Sequence, residues 1–190
     1  MSASRSPWKN PPVASSSPPL APFAHPQTVT WTSHLASSFA RRLHRPLDPA
    51  LEGLPPLEYA KGLYQGPYVV LSHDADMKYN FANVCGQKLW GYDWNQYMGM
   101  DSWRSTPASE AEAMEGRRKL WAHMDEYGVM HDFRGLRVAG DGTLFTIEGV
   151  TVWTVDDDEG IFLGHAVIFD TWTYEKDGRV GGPGDFVLVD

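Results

Sequence analysis

The sequence has a single cysteine and no long apolar run. Cys85 is the only cysteine in 190 residues, which excludes an internal disulfide and a cysteine-cluster zinc site. No stretch approaches the roughly 20 apolar residues of a membrane-spanning helix, and the first 25 residues lack the apolar segment of a secretory signal. These absences predict an intracellular, cytoplasmic protein with no membrane partner.

Acidic residues are missing from the first quarter of the chain and abundant afterwards. Residues 1–47 contain five basic and no acidic residues, whereas residues 48–190 contain 11 basic and 24 acidic residues, so the net charge is −8. An acidic main body repels phosphate backbones, which argues against direct nucleic-acid binding.

The first 26 residues hold seven of the 14 prolines and six serines. Such a segment has too little apolar surface to offset the entropy of ordering, and it predicts a disordered tail. Because it is also mildly basic and acid-free, a transit peptide for an organelle such as the plastid stays open as an alternative.

An apolar stripe at helical spacing follows this tail. Its members are Trp31, Leu35, Phe39 and Leu43. The spacing predicts an amphipathic helix within residues 28–47, and the prolines that follow predict a linker over 48–65.

Residues 66–174 show the pattern of an α+β domain, and a Gly-rich tail is predicted for 175–190. Five strands are predicted at 67–72, 78–83, 129–138, 144–155 and 161–174. Short helices are predicted at 84–90 and 94–98, and a longer helix at 109–127.

The longer helix has clear start and stop signals. Ser109 and Glu112 have the spacing of a capping box, and Gly128 follows the last helical residue. Its predicted buried stripe consists of Ala113, Leu120, Met124 and Tyr127, widened by Met114 and Trp121.

The last two strands are apolar on both faces. Antiparallel strands with two apolar faces are covered on both sides. We expect the domain's own helices to cover one face, and the helix within 28–47 or a second molecule to cover the other.

Five separate segments of the chain are similar to the MEKHLA family of PAS-like domains. They are residues 67–73, 80–83, 132–137, 145–153 and 165–172. The resemblance implies a PAS-like five-stranded antiparallel sheet, with short helices and one longer helix on one face, plus the N-terminal amphipathic helix. It also implies a stand-alone relative of the C-terminal domain of plant class III homeodomain–leucine-zipper factors, although this chain contains neither a homeodomain nor a zipper.

The resemblance further implies a sensory or regulatory module. Such a module would bind a small apolar ligand or a protein partner and would self-associate as a homo-oligomer. The candidate pocket residues, between sheet and helices, are Glu148, Arg137, Asn83, Trp121 and His165. The cofactor stays unknown, because Cys85 lacks the polar motif of flavin-binding relatives and His123 alone is weak evidence for haem.

Glu148 has two interpretations. Counting outward from the turn at residues 140–142 places it near Gly135, with Arg137 diagonal to it on the same face. Because a buried carboxylate is unfavourable by several kcal/mol unless it is paired, an Arg137–Glu148 ion pair is the first interpretation. An anchor for a ligand is the second.

A small enzyme is the alternative to a sensory module. Glu148, His131 and Asp132 could supply acid–base chemistry in such a pocket. However, the sequence contains no recognisable nucleophile motif, no metal-ligand cluster and no phosphate-binding loop, so no catalytic residue or metal ligand is assigned.

Overall fold

The computed structural model describes residues 20–186. The predicted disordered tail therefore lies mostly outside the described residues, and α1 begins at its last residue, Pro26. The α-helices are α1 (Pro26–Leu43), α2 (Pro56–Gln65), α3 (Val84–Trp90), α4 (Trp94–Tyr97) and α5 (Ala111–Tyr127). The strands are β1 (Val69–Asp74), β2 (Tyr79–Ala82), β3 (Val129–Val138), β4 (Leu144–Asp156), β5 (Phe162–Phe169), β6 (Thr171–Tyr174) and β7 (Val180–Gly181).

The strands form one antiparallel sheet in the order β2-β1-β5-β4-β3. The predicted α+β architecture is confirmed, with a larger sheet than the five strands expected. The predicted fifth strand is interrupted at Asp170, and its second part, β6, continues along β4 and pairs with the short β7.

A β-bulge in β4 explains its irregular apolar pattern. Phe133 of β3 faces Val150 and Gly135 faces Ile147, so two residues of β4 oppose one residue of β3. Gly149, one of the two, has a φ of 61°, a left-handed conformation that glycine adopts without strain. The extra residue brings positions 145, 147, 150 and 152 into the same core cluster.

The two faces of the sheet carry separate cores. The inner face packs against α3 and α5, and the outer face packs against α1 and α2. On the outer face Phe39 lies edge-on to Trp153, with ring centroids 5.0 Å apart. The helix expected to cover the second face therefore does so within its own chain.

The predicted linker at 48–65 is wrong in its second half, which forms α2. Pro56 lies in the first helical turn, where a missing N–H is tolerated. Ala60 and Leu63 are fully buried, and α2 packs against α1. This Pro-rich segment therefore forms a helix because its apolar side chains pack against α1.

The start of α5 also differs from the prediction. Residues 107–110 form a turn closed by a 3.1 Å hydrogen bond from Glu110 N to Pro107 O. The helix consequently begins at Ala111 without the predicted capping box. Tyr127 is exposed rather than buried, whereas Gly128 ends the helix as predicted, with a φ of 70°.

The predicted C-terminal tail is ordered up to residue 186, and residues 187–190 lie outside the described part. Phe186 stacks on Trp172 with ring centroids 5.6 Å apart, and β7 extends the sheet. Within residues 20–186 no helix combines the length and apolarity that crossing a membrane requires.

Candidate functional site

A cavity of about 40 Å³ lies between the inner face of the sheet and α5. A buried water needs roughly 10–15 Å³, so the space corresponds to about three water molecules. Its apolar walls are Leu71, Leu120, Phe133, Ile147, Val167 and Phe169. Its polar lining includes Ser72, His73, Tyr79, Ser105, Arg117, Trp121, Arg137 and His165.

Arg117 extends from α5 into the core and is only 4% exposed. Its Nη2 donates to Ser102 Oγ at 2.9 Å, and its Nη1 donates to Thr106 Oγ1 at 3.0 Å. The guanidinium lies 4.6 Å from the centre of the Trp103 ring. Its Nε has no hydrogen-bond partner among the described residues. Burial lowers the pKa of Arg117, because water no longer stabilises its charge.

Arg137 enters the same region from β3 and is 7% exposed. Its Nη1 donates to Leu136 O at 2.8 Å, and its guanidinium lies 5.5 Å from the centre of the Phe133 ring. A Cβ on Gly135 would lie 2.9 Å from Arg137 Nη1, so the glycine leaves room for this arrangement. Burial lowers the pKa of Arg137 to about 9, the positive charge of Arg117 contributes in the same direction, and Tyr79 opposes both.

Neither buried arginine contacts a carboxylate in the described part of the chain, although the charge of Asp101 acts on Arg117 from a longer distance and opposes the lowering of its pKa by burial. Within residues 20–186, no ion pair of 4.0 Å or less involves Arg117 or Arg137. An unpaired charge in a protein interior is unfavourable by several kcal/mol. The two arginines therefore concentrate positive charge in a place where water does not screen it.

His73 and His165 face each other across β1 and β5 in the same region. Their ring centroids lie 5.4 Å apart, and Trp121 lies 4.7 Å from His165 and 5.1 Å from His73. Burial lowers the pKa of His73 to about 3 and that of His165 to about 4, so both rings are neutral at pH 7.

The neutral histidines and Trp121 leave polar atoms unpaired in the cavity wall. His73 Nδ1 lies 2.9 Å from Asp74 O, and this carbonyl favours the tautomer with the proton on Nδ1. His73 Nε2, His165 Nδ1 and Trp121 Nε1 have no hydrogen-bond partner in the described part of the chain.

The structure brings three of the five predicted pocket residues together. Arg137, Trp121 and His165 line the cavity, and their roles in ligand binding remain predictions. Asn83 lies elsewhere: its Oδ1 accepts from Gly86 N at the start of α3 and from Val70 N of β1, each at 3.0 Å. Asn83 therefore connects α3 to β1 of the sheet.

The predicted Arg137–Glu148 ion pair is wrong. Glu148 instead accepts from Arg134 Nε at 3.0 Å, away from the cavity. The register of the hairpin is the reason: Gly135 faces Ile147 rather than Glu148, and a shift of one residue turns a side chain to the opposite face of the sheet. His131 and Asp132 are both exposed on β3, so the acid–base group considered for an enzyme is not assembled in the cavity.

Sequence reasoning missed Arg117 and ended the first predicted strand one residue before His73. Arg117 falls four residues after Ala113 and three before Leu120, which is a position on the predicted buried stripe of α5. A charged residue on an apolar stripe was a usable signal. His73 alternates with Leu71 on the inner face of β1, which extends to Asp74 rather than ending at Ser72.

No group of three or more His, Cys, Asp or Glu side chains within residues 20–186 is placed to hold a metal ion. Cys85 is buried beside Lys88 on α3, and burial raises the pKa of its thiol to about 11.

The sheet order and the helix across its inner face define a PAS-like fold. A PAS domain of a protein from Colwellia psychrerythraea is similar at 15% identity and a TM-score of 0.51, covering 58% of this chain and 91% of that one. An RNA-binding Light-Oxygen-Voltage receptor is similar at 16% identity and a TM-score of 0.50, covering 64% of this chain and 33% of that one. At such identities the likeness shows the fold alone.

The sequence profile of the MEKHLA domain matches residues 29–174, and the chain belongs to the MEKHLA domain family. The match begins inside α1, so the family domain includes the helix that covers the outer face. A search of curated proteins found no match.

Proposed function

We propose that this protein is a PAS-like sensory or regulatory module that binds a small ligand in the cavity between the sheet and α5. One observation carries the proposal. Eight buried side-chain polar atoms lack a hydrogen-bond partner in the described part of the chain, and five belong to residues that line this cavity. Native proteins pair most buried polar groups, so a cluster of unpaired groups around one cavity supports the binding of a ligand there.

The apolar walls of the cavity support the same proposal. Ligand sites are mostly apolar, with a few polar groups that fix orientation. The cavity contacts α5 on one side and five strands on the other. An occupant would therefore change how α5 packs on the sheet, which gives a physical route from binding to signalling.

Partners and location belong to the proposal as well. We expect an intracellular, cytoplasmic protein, and self-association stays a prediction. Because α1 covers the outer face of the sheet, a second molecule is not required there, and a homo-oligomer would have to form through another surface. The small-enzyme alternative required Glu148, His131 and Asp132 in the pocket, and none of the three lines the cavity.

Native mass spectrometry of the purified full-length protein tests ligand binding. We expect a retained mass above the 21.3 kDa chain, and its loss in Val167→Phe, which fills the cavity. Val180→Phe makes the same change on an exposed residue and should keep the retained mass. Bare-chain masses for all three proteins, with no shift in Tm across a library of charged and uncharged small molecules, would contradict the proposal.

A further inference from the structure

We infer that the cavity takes a short-chain organic monocarboxylate whose carboxylate lies between Arg117 and Arg137. The inference rests on the proposed ligand-binding function and adds the chemical class of the ligand. It also assigns Arg117, which the sequence did not single out, as a ligand-binding residue.

Charge pairing carries the inference. Five of the seven more exposed arginines within residues 20–186, at positions 41, 42, 118, 134 and 179, each contact a carboxylate. The two most deeply buried arginines contact only neutral oxygens and aromatic rings. This is the reverse of the usual order, since burial is where a charge most requires a counter-ion. An anion bound between the two guanidinium groups would supply it.

The available donors fit a carboxylate. A guanidinium presents a planar fork that matches the two oxygens of a carboxylate. Arg117 Nε and Trp121 Nε1 are buried donors without partners in the described residues, and both residues line the cavity. No aspartate or glutamate is among the lining residues to repel the ligand.

The size and the walls of the cavity restrict the rest of the ligand. A volume of about 40 Å³ admits only a few non-hydrogen atoms. Leu71, Leu120 and Val167 would contact an alkyl group of two or three carbons, whereas phosphate or sulfate would leave these apolar walls unused.

A groove next to the cavity favours a single negative charge. It shares Arg117, Phe133 and Arg137 with the cavity, and the small residues Ala113, Gly116 and Gly135 also line it. Its other charged residues are Glu110, Glu112, Arg134 and Glu175. Three carboxylates along this approach disfavour a ligand with a second anionic group.

Thermal unfolding of the full-length protein tests the inference without any substitution. The probes are acetate, propionate and butyrate, each against its primary amide, with chloride and phosphate at matched ionic strength. A carboxylate at about 100 times its Kd should raise the Tm by roughly 5–10 °C. The amides and the inorganic anions should have little effect.

Arg117→Met and Arg137→Met should each abolish the shift. Because each change removes an unpaired buried charge, we also expect the ligand-free Tm to rise. Arg118→Met is the matched control on α5: it breaks an exposed ion pair with Glu115 and should keep the full response to carboxylates.

Three results would overturn the inference in different ways. Equal shifts with amides and acids would show that the cavity binds neutral molecules, and the proposed function would stand. Equal shifts with chloride or phosphate would overturn the monocarboxylate assignment in favour of an unselective anion site. If no probe changes the Tm, the inference fails, and native mass spectrometry decides separately whether the proposed function fails with it.

Discussion

The two faces of the sheet are equally apolar but differ in how their polar atoms are paired. On the outer face, Trp31 Nε1 donates to Ser72 Oγ at 2.8 Å and Trp153 Nε1 donates to Ser38 Oγ at 3.2 Å. On the inner face, Trp121 Nε1 and Arg117 Nε have no partner within the described residues. The indole and guanidinium groups are of the kind that normally find a partner when buried.

The difference indicates that the two faces of the sheet have different roles. The outer face is completed by α1 of the same chain, and the N-terminal helix is further held at its end by ion pairs from Arg41 and Arg42 to Asp156. On the inner face, the proposed ligand would supply partners for polar atoms that the described residues leave unpaired. Both faces contribute an apolar core to stability, and binding is expected at the inner one.

The largest expected effect comes from removing α1. Deletion of residues 1–47 would expose Trp153, Val155 and Ala166 on the outer face, a larger apolar patch than soluble monomers carry. We expect aggregation or a change of oligomeric state, measured by light scattering and sedimentation. Deletion of residues 1–19 leaves α1 intact and is the control. A soluble monomer with an unchanged Tm after the longer deletion would show that α1 does not stabilise the sheet.

Acid should destabilise the protein through the inner face. His73 and His165 have folded-state pKa values of about 3 and 4, below the ordinary value near 6.5. The unfolded chain therefore binds protons first as the pH falls. The stability that the two neutral rings contribute is complete above about pH 6.5 and is lost progressively towards pH 3–4, by several kcal/mol in total.

Denaturant unfolding at pH 7 and pH 5 measures this loss. His165→Gln should flatten the dependence, because it removes one of the two rings. His131→Gln, on the exposed side of β3, should leave the slope unchanged. Parallel profiles for wild type and His165→Gln would show that His165 is not kept neutral by burial.

A matched pair of tryptophan substitutions compares the faces directly. Trp153→Phe removes an indole N–H that donates to Ser38, whereas Trp121→Phe removes one without a partner. Both changes remove the same atoms, and two effects make the loss larger at Trp153. Its hydrogen bond contributes about 1 kcal/mol, and Trp153 is fully buried whereas Trp121 is only partly buried. We expect the larger loss of unfolding free energy for Trp153→Phe. Equal losses would mean that the indole of Trp121 is paired in solution.

The smallest expected effect is at Glu148. Its ion pair with Arg134 is largely exposed, so Glu148→Ala should change the unfolding free energy by less than about 1 kcal/mol. It should also leave the response to carboxylates unaltered. A loss of several kcal/mol, measured by urea unfolding, would place Glu148 in a buried contact and favour the pairing with Arg137 that the structure does not show.

Local patterns predicted most of the fold. The apolar segments of the strands, the glycine that ends α5 and the stripe of α1 each depend on neighbouring residues, so one sequence was sufficient to find them. The helix at 56–65 was missed, because prolines at its start resemble a linker until tertiary packing is known. The break in the last strand at Asp170 was also missed, because the pairing of β6 with β4 and β7 is a tertiary contact.

The site was less predictable, because it depends on residues that are distant in sequence. Arg137, Trp121 and His165 were found from the resemblance to a PAS-like pocket. Arg117 carried a signal in its own helix that went unused. The pairing of Glu148 was mispredicted by one residue, since Gly135 faces Ile147 and the sequence alone does not fix the register of the β3–β4 hairpin.

Gly149 divides β4 into two segments that differ in which residues, odd-numbered or even-numbered, face the inner core. Before it, odd-numbered residues such as Phe145 and Ile147 point into the inner core, and after it even-numbered residues such as Val150 do so. A one-residue insertion or deletion elsewhere in the strand would exchange the faces of every residue between itself and the glycine. Changes of length in a MEKHLA domain are therefore expected in its turns, while the spacing around this glycine stays constant.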